Sequence, residues 1–240
     1  MRNTKEKLFL SARWENLCLI TYKVSQEILH SYIPSGLTAD TIDGSAFMSL
    51  VAFDFVNTKV KGIKYPFHVN FPEINLRFYV RSKKKRGVVF IREFVPRHFI
   101  SLFANKLYNE NYRSIKMKSK TIVNGERKVR HDIKIKGVEF SVELIAENKP
   151  YIASDVSLEN FFKEHEWGFG KSKRGDTLIY RVEHPRWDTF PVKNYSLNFD
   201  FGKIYGARWE FLNTQKPYNI TLAAGSEIKV FSPQKLMSGT

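Results

Sequence analysis

The chain has 240 residues, 42% of them hydrophobic, and its 39 basic and 24 acidic residues give a net charge of +15. This apolar content, with 20 Phe, excludes a disordered chain. The single cysteine, Cys18, excludes an internal disulfide and indicates a reducing compartment. No apolar run approaches the ~18 residues of a spanning helix, and the N-terminal apolar stretch is too short for a signal peptide. We therefore expect a cytoplasmic protein without membrane insertion.

The first predicted elements are a strand, a helix and a second strand. Residues 14–23 form an apolar run typical of a strand. A helix follows, with Ser25 as its N-cap, and it ends before Pro34. Residues 46–56 are apolar on both faces, which indicates a buried central strand.

Residues 73–81 alternate between apolar and polar side chains. The apolar set is Ile74, Leu76, Phe78 and Val80, and the polar set is Glu73, Asn75, Arg77, Tyr79 and Arg81. Because successive strand side chains point to opposite faces, the apolar face packs on a core. If the polar face meets water, it serves solubility. If it faces a cavity, it forms a polar site for a small ligand.

The remaining elements continue the predominance of strands. A turn at 83–87 joins the strand 73–81 to a returning strand at 88–94. Pro96 opens a second helix, whose buried stripe contains Phe99, Leu102, Phe103 and Leu107. Further predicted elements are strands from about 114 to 144, a short helix capped by Ser157, and strands at 178–184 and 206–212. We expect a single domain over residues 1–240 of the α+β class, mainly antiparallel, because no βαβ rhythm repeats.

Three patterns resemble functional motifs without meeting their requirements. Residues 165–172 match the phosphate-binding loop except at His165, and they follow a predicted helix where the motif requires a strand. The six histidines lack metal-ligand spacing, so neither a metal nor a cofactor is predicted. The basic run at 81–86 lies at a hairpin tip without a nucleic-acid motif. Specific nucleic-acid recognition is therefore not favoured, although the charge predicts attraction to polyanions.

Several segments together resemble one protein family. They are Pro34-Ser35-Gly36-Leu37 with Asp40 to Ala46, the strand Phe71 to Val80, Gly87 to Phe90, Phe103 to Tyr112, and Val182-Glu183-His184-Pro185-Arg186-Trp187. In this order they resemble the domain of unknown function 2071 family, which is similar to the acetoacetate decarboxylase superfamily. The resemblance covers about residues 12 to 190.

The resemblance implies a fold and argues against one mechanism. The implied fold is a cone-like antiparallel β-barrel that encloses a cavity, with about three flanking helices. In acetoacetate decarboxylases a buried lysine forms a Schiff base, and an adjacent lysine lowers its pKa. The matching positions here are Tyr112 and Arg113, and neither side chain can form an imine. Schiff-base chemistry would need Lys116 or Lys118, which lie nearby but off the expected position.

The candidate site combines this resemblance with the polar face of residues 73–81. Glu73 matches a glutamate of the decarboxylases and is the candidate acid or base, with His184 as a second titratable group. Arg77 could bind a carboxylate through two hydrogen bonds. The other candidate substrate-binding residues are Tyr79, Tyr112 and Arg113.

Structural roles are the alternative for each of these side chains. Glu73 and Arg77 could each find structural partners inside the barrel, and the two tyrosines could be core aromatics with satisfied hydroxyls. His184 precedes a proline and could anchor an extended turn before Trp187, itself a packing residue.

Two classes of function follow. The first is a cytoplasmic small-molecule-binding barrel, acting on a keto or carboxylic acid without a Schiff-base lysine. If it is an enzyme, a lyase- or hydrolase-like activity on a small organic acid or carbonyl compound is expected. The second is a non-catalytic basic module that binds an acidic partner or nucleic acid. The sequence leaves the oligomeric state open, with a homo-oligomer among the possibilities.

Overall fold

The computed structural model describes residues 6–83, 85–96 and 112–236. The strands, in chain order, are β1 (Leu8–Val24), β2 (Thr38–Ala39), β3 (Ala46–Val60), β4 (Phe71–Ser82), β5 (Lys85–Val95), β6 (Tyr112–Ser114), β7 (Lys116–Asn124), β8 (Glu126–Ile135), β9 (Val138–Glu147), β10 (Trp167–Lys171), β11 (Thr177–Glu183), β12 (Thr189–Phe190), β13 (Val192–Asn198), β14 (Asn219–Ala223), β15 (Glu227–Phe231) and β16 (Gln234–Lys235). The helices in these residues are α1 (Gln26–Leu29), α2 (Leu158–Lys163), α3 (Phe201–Tyr205) and a 3-10 helix (Ala207–Asn213). The expected mainly antiparallel α+β class is confirmed. The helix predicted after Pro96 lies outside the described residues.

The larger of the two sheets is partly closed. Within the described residues it has twelve strands, and β7, β8, β9 and β13 form a second sheet of four. Pairing in the large sheet can be followed from β1 through β3, β4, β5, β10, β11 and β15 back to β1. The β11–β15 pairing comprises only two residue pairs, Val182 with Val230 and Glu183 with Lys229. The sheet is therefore partly closed.

Strand β4 separates two hydrophobic cores. Its apolar side chains, such as Leu76 and Phe78, belong to a core that includes Val129 and Leu144 of the small sheet. Phe71, on the opposite face of β4, belongs to a second core with residues of β1, β3 and β5. The predicted alternation is confirmed, and both faces of this strand are covered by protein.

Two predicted elements differ from the structure. The helix after Ser25 is a single turn that ends at Leu29, although Ser25 caps it as predicted by accepting a hydrogen bond from the Glu27 N–H. The strand predicted at 206–212 is wrong, because these residues follow α3 and form the 3-10 helix. Gly206 has a φ of 113°, which only glycine adopts easily, and this φ separates the two helical segments.

Glycine at position 87 permits the parallel pairing of β5 with β10. A Cβ atom at Gly87 would lie 2.3 Å from the Trp167 carbonyl oxygen, its neighbour across this pair. A backbone atom cannot withdraw without distorting the pairing. We therefore expect Gly87→Ala to lower the free energy of unfolding by about 1–3 kcal/mol, measured by urea denaturation. A change below about 0.5 kcal/mol would contradict this role for Gly87.

No helix in the described part of the chain is both long enough and apolar enough to cross a membrane.

Candidate functional site

The polar face of β4 lines a cavity of about 150 Å³ inside the partly closed sheet. Phe71, Glu73, Asn75 and Arg77 contribute to its wall at every second position of the strand. The seven strands that pair in turn from β1 through β15 and back to β1 each contribute residues to the cavity wall. The sequence left two alternatives for this face, and in the structure Glu73, Asn75 and Arg77 line the cavity while Arg81 is exposed.

Glu73 is a buried carboxyl group with two hydrogen-bond donors. Asn75 Nδ2 donates to its Oε1 over 2.9 Å, and the Tyr112 hydroxyl lies 3.5 Å from its Oε2. Burial raises the pKa of Glu73 to about 7, although the donated hydrogen bonds and the positive charge of Arg77 act in the opposite direction. A carboxyl group with this pKa can either release or accept a proton near neutral pH.

Arg77 presents a buried guanidinium group at the cavity wall. It is 8% exposed, and its Nη2 donates to the Phe162 carbonyl oxygen over 3.2 Å. Its Nε has no hydrogen-bond partner among the described residues. Arg77 also takes no part in the ion pairs within 4 Å found in that part of the chain. A buried guanidinium group without an ion-pair partner in the described residues favours the binding of an anion in the adjacent cavity.

Lys163 and His165 line the cavity beside Arg77, and sequence reasoning missed both. Lys163 ends α2 and is 1% exposed; its Nζ donates to the Trp187 carbonyl oxygen over 2.7 Å and to the Glu164 carboxylate. Burial lowers the pKa of His165 well below its usual value, and the charges of Arg77 and nearby cationic groups act in the same direction. His165 is therefore neutral at physiological pH.

Tyr112 lines the cavity and Arg113 does not. Strand β6 pairs in parallel with β5, so that Tyr112 lies beside Glu93, a buried cavity residue. Burial and the neighbouring carboxylates raise the pKa of Tyr112 well above its usual value, which keeps the phenol neutral. Arg113 is the next residue of the strand and is exposed, because adjacent side chains point to opposite faces. The prediction that placed it in the cavity is corrected.

Lys116 and Lys118, the two lysines that Schiff-base chemistry would have required, are also exposed on β7. Neither lines the cavity.

Tyr79 and His184 also lie outside the cavity wall. The Tyr79 hydroxyl contacts Ser49 Oγ at 2.5 Å and the Phe162 carbonyl oxygen at 3.3 Å, so its polar atom is hydrogen-bonded within the core near the end of β4. The His184 ring stacks on Trp187, with centroids 4.1 Å apart and an angle of 18° between the planes. Strand β11 ends at Glu183, so its alternation does not carry His184 inward. These contacts agree with the structural alternatives that the sequence left open for both residues.

The other end of the cavity is aromatic. Trp14, Phe53, Phe55 and Phe71 line it, and their rings contact each other with centroids 4.7 to 5.7 Å apart. Phe53 and Phe55 pair with Glu73 and Phe71 across β3 and β4, so this aromatic end begins level with Glu73 and extends away from Arg77.

Solved structures with a similar fold include a pyruvate complex and acetoacetate decarboxylases. The enduracididine biosynthesis enzyme MppR complexed with pyruvate aligns with a TM-score of 0.66 and 10% identity, over 100% of this chain and 94% of that one. An acetoacetate decarboxylase-like enzyme from Sphingomonas wittichii aligns with a TM-score of 0.64 and 11% identity, over 98% and 95%. Acetoacetate decarboxylase from Legionella pneumophila aligns with a TM-score of 0.62 and 12% identity, over 98% and 90%. These similarities establish an acetoacetate decarboxylase-like fold.

A sequence relative and a family profile also match the chain. The protein YqjF of Bacillus subtilis, described as uncharacterized, is 27% identical over 180 residues, which cover 72% of each chain. The profile of a family described as an uncharacterized conserved protein matches residues 11–227, nearly the whole chain. The chain therefore belongs to the domain of unknown function 2071 family, as the sequence motifs predicted.

Proposed function

We propose that this protein binds a small organic acid, such as a 2-oxo acid, in the cavity and acts on it without a lysine imine. The observation that carries the proposal is the buried Arg77 guanidinium, which has no carboxylate partner within 4 Å among the described residues. A carboxylate ligand would satisfy it through charge-assisted hydrogen bonds. The structures of MppR with pyruvate, and with a condensation product of pyruvate, support an acid as the ligand class.

The chemistry we propose is proton transfer by Glu73 to or from the bound acid. Glu73 and Arg77 lie on one face of β4 and line the same cavity, and the charge of Arg77 acts to lower the pKa of Glu73, so both groups face the same ligand space. The pKa of Glu73 near 7 suits a group that must exchange a proton at neutral pH. Tyr112 and the neutral His165 would supply further hydrogen bonds to a carbonyl oxygen.

Lys163 is a buried amine in the same cavity, and its contacts argue against an imine. Imine formation needs an amine that is free to attack a carbonyl carbon. The Nζ of Lys163 instead donates hydrogen bonds to the Glu164 carboxylate and to the Trp187 carbonyl oxygen. We therefore assign Lys163 a role in holding α2 beside the cavity. We also propose a cytoplasmic location, in keeping with the single buried cysteine, Cys18.

Replacing Arg77 tests the proposal. We expect wild-type protein to bind pyruvate in isothermal titration calorimetry, and Arg77→Met to weaken this binding roughly 10- to 100-fold, as expected when a hydrogen-bonded charged group is removed. Arg81→Met is the matched control, because Arg81 lies four residues further along the same strand but is exposed. This variant should bind pyruvate as wild type does.

Equal pyruvate binding by wild type and Arg77→Met would contradict the role of Arg77. The rival function, a basic module for an acidic partner, predicts a different result. Binding would then be seen with a DNA duplex or an RNA, would fall steeply as salt rises, and would not depend on Arg77.

A further inference from the structure

We infer that the cavity selects acids that carry an aromatic or similarly bulky apolar group over acids of the size of pyruvate. This inference rests on the proposed function, since it assumes a carboxylate at Arg77. It concerns the part of the cavity that the acid group does not occupy.

The cavity extends well beyond its charged end. Phe71 and Arg77 both line it and are six residues apart on β4, about 20 Å along the strand. Pyruvate carries only a methyl group beyond its keto carbon. When its carboxylate is bound at Arg77, it leaves the walls near Phe53 and Phe55 without a contact.

The composition of the distant walls fits an aromatic group. Trp14 packs edge-on against Phe53 and Phe55, at centroid distances of 5.1 and 5.7 Å. Rings in this arrangement offer faces and edges to a further ring. Burial of a phenyl group against these rings favours binding because apolar surface leaves water.

Calorimetry with a graded series of ligands tests the inference. The probes are pyruvate, phenylpyruvate and 2-oxo-4-phenylbutanoate, with wild-type protein and two variants. We expect at least one phenyl acid to bind wild type about tenfold or more tightly than pyruvate. Leu17→Phe should reduce this advantage, because Leu17 lines the cavity and its enlargement takes up apolar space there. Arg77→Met should weaken all three acids.

The outcomes separate the inference from the proposed function. Pyruvate binding as tight as that of both phenyl acids in wild type would overturn the inference and leave the proposed function standing. Failure of all three acids to bind wild type would overturn both. The comparison within wild type needs no variant to fold, so a misfolded Leu17→Phe protein would not weaken the test.

Discussion

Glu73→Gln should raise the stability of the protein above pH 7 and leave it nearly unchanged below about pH 4.5. Burial raises the pKa of Glu73 in the folded state to about 7 from 4.5, so between these values the folded protein retains a proton that the unfolded chain has released. The wild-type protein therefore loses stability as pH rises through this window. The difference between the two pKa values corresponds to a loss of about 3 kcal/mol in the free energy of unfolding. Glutamine has no ionised form and avoids this loss.

Urea unfolding at pH 5 and pH 8 measures the effect of Glu73→Gln. The stability advantage of the variant should be larger at pH 8 by an amount approaching about 3 kcal/mol. Glu139→Gln serves as the control, because the Glu139 side chain is 72% exposed and should change stability by no more than about 0.5 kcal/mol at either pH. An equal advantage for Glu73→Gln at both pH values would show that Glu73 has an ordinary pKa.

Lys163→Met should lower the free energy of unfolding by about 3 kcal/mol, within the range for breaking a buried ion pair. The variant keeps the apolar stem but removes the charge, which leaves the buried Trp187 carbonyl oxygen without its donor. The Glu164 carboxylate is 22% exposed, so water can solvate it when its ion pair with Lys163 is removed. The expected cost is therefore at the lower end of that range.

An exposed lysine in an ion pair provides the control for Lys163→Met. Lys193 pairs with Glu126 over 3.0 Å while its side chain is 47% exposed, and Lys193→Met should cost less than about 1 kcal/mol. In addition, Lys163→Met combined with Glu164→Gln should recover part of the lost stability, because no uncompensated carboxylate then remains. Losses of similar size for Lys163→Met and Lys193→Met would contradict a buried structural role for Lys163.

Alternation within β4 allowed the sequence to predict one wall of the candidate site. Glu73 and Arg77 lie on the same face because side chains alternate along β4 with a period of two. The pairing of β4 with β3 has no bulge between these two residues. The sequence could not tell whether this face meets water or protein. That distinction depends on strands such as β10 and β15, far away in the chain, which complete the closed pairing.

Other residues of the cavity could not be predicted by simple periodicity. Glu93 shares the cavity with Phe90 although the two are an odd number of positions apart, three, because an irregularity in the β4–β5 register lies between Phe90 and Arg92 and changes the face that follows. Lys163 is a charged residue at a helix end, where exposure is the normal expectation.

The position of His165 did have a signal in the sequence. It follows Leu158, Phe161 and Phe162 at helical spacing, so it continues their apolar stripe just beyond the end of α2 at Lys163. In the sequence it was a mismatch in a phosphate-binding motif and one of six histidines without metal-ligand spacing. Residues 167–171 of that motif form a strand, β10, so the loop that the motif requires is replaced by extended backbone.

A crystal structure of the protein grown with excess phenylpyruvate would test the central claim most directly, namely that the β4 cavity holds an acid on Arg77. The predicted result is ligand density inside the cavity, with carboxylate oxygens within hydrogen-bonding distance of the Arg77 guanidinium and the ring toward Phe53. An acid bound with its carboxylate elsewhere, or a cavity that remains without ligand at saturating concentration, would contradict the claim.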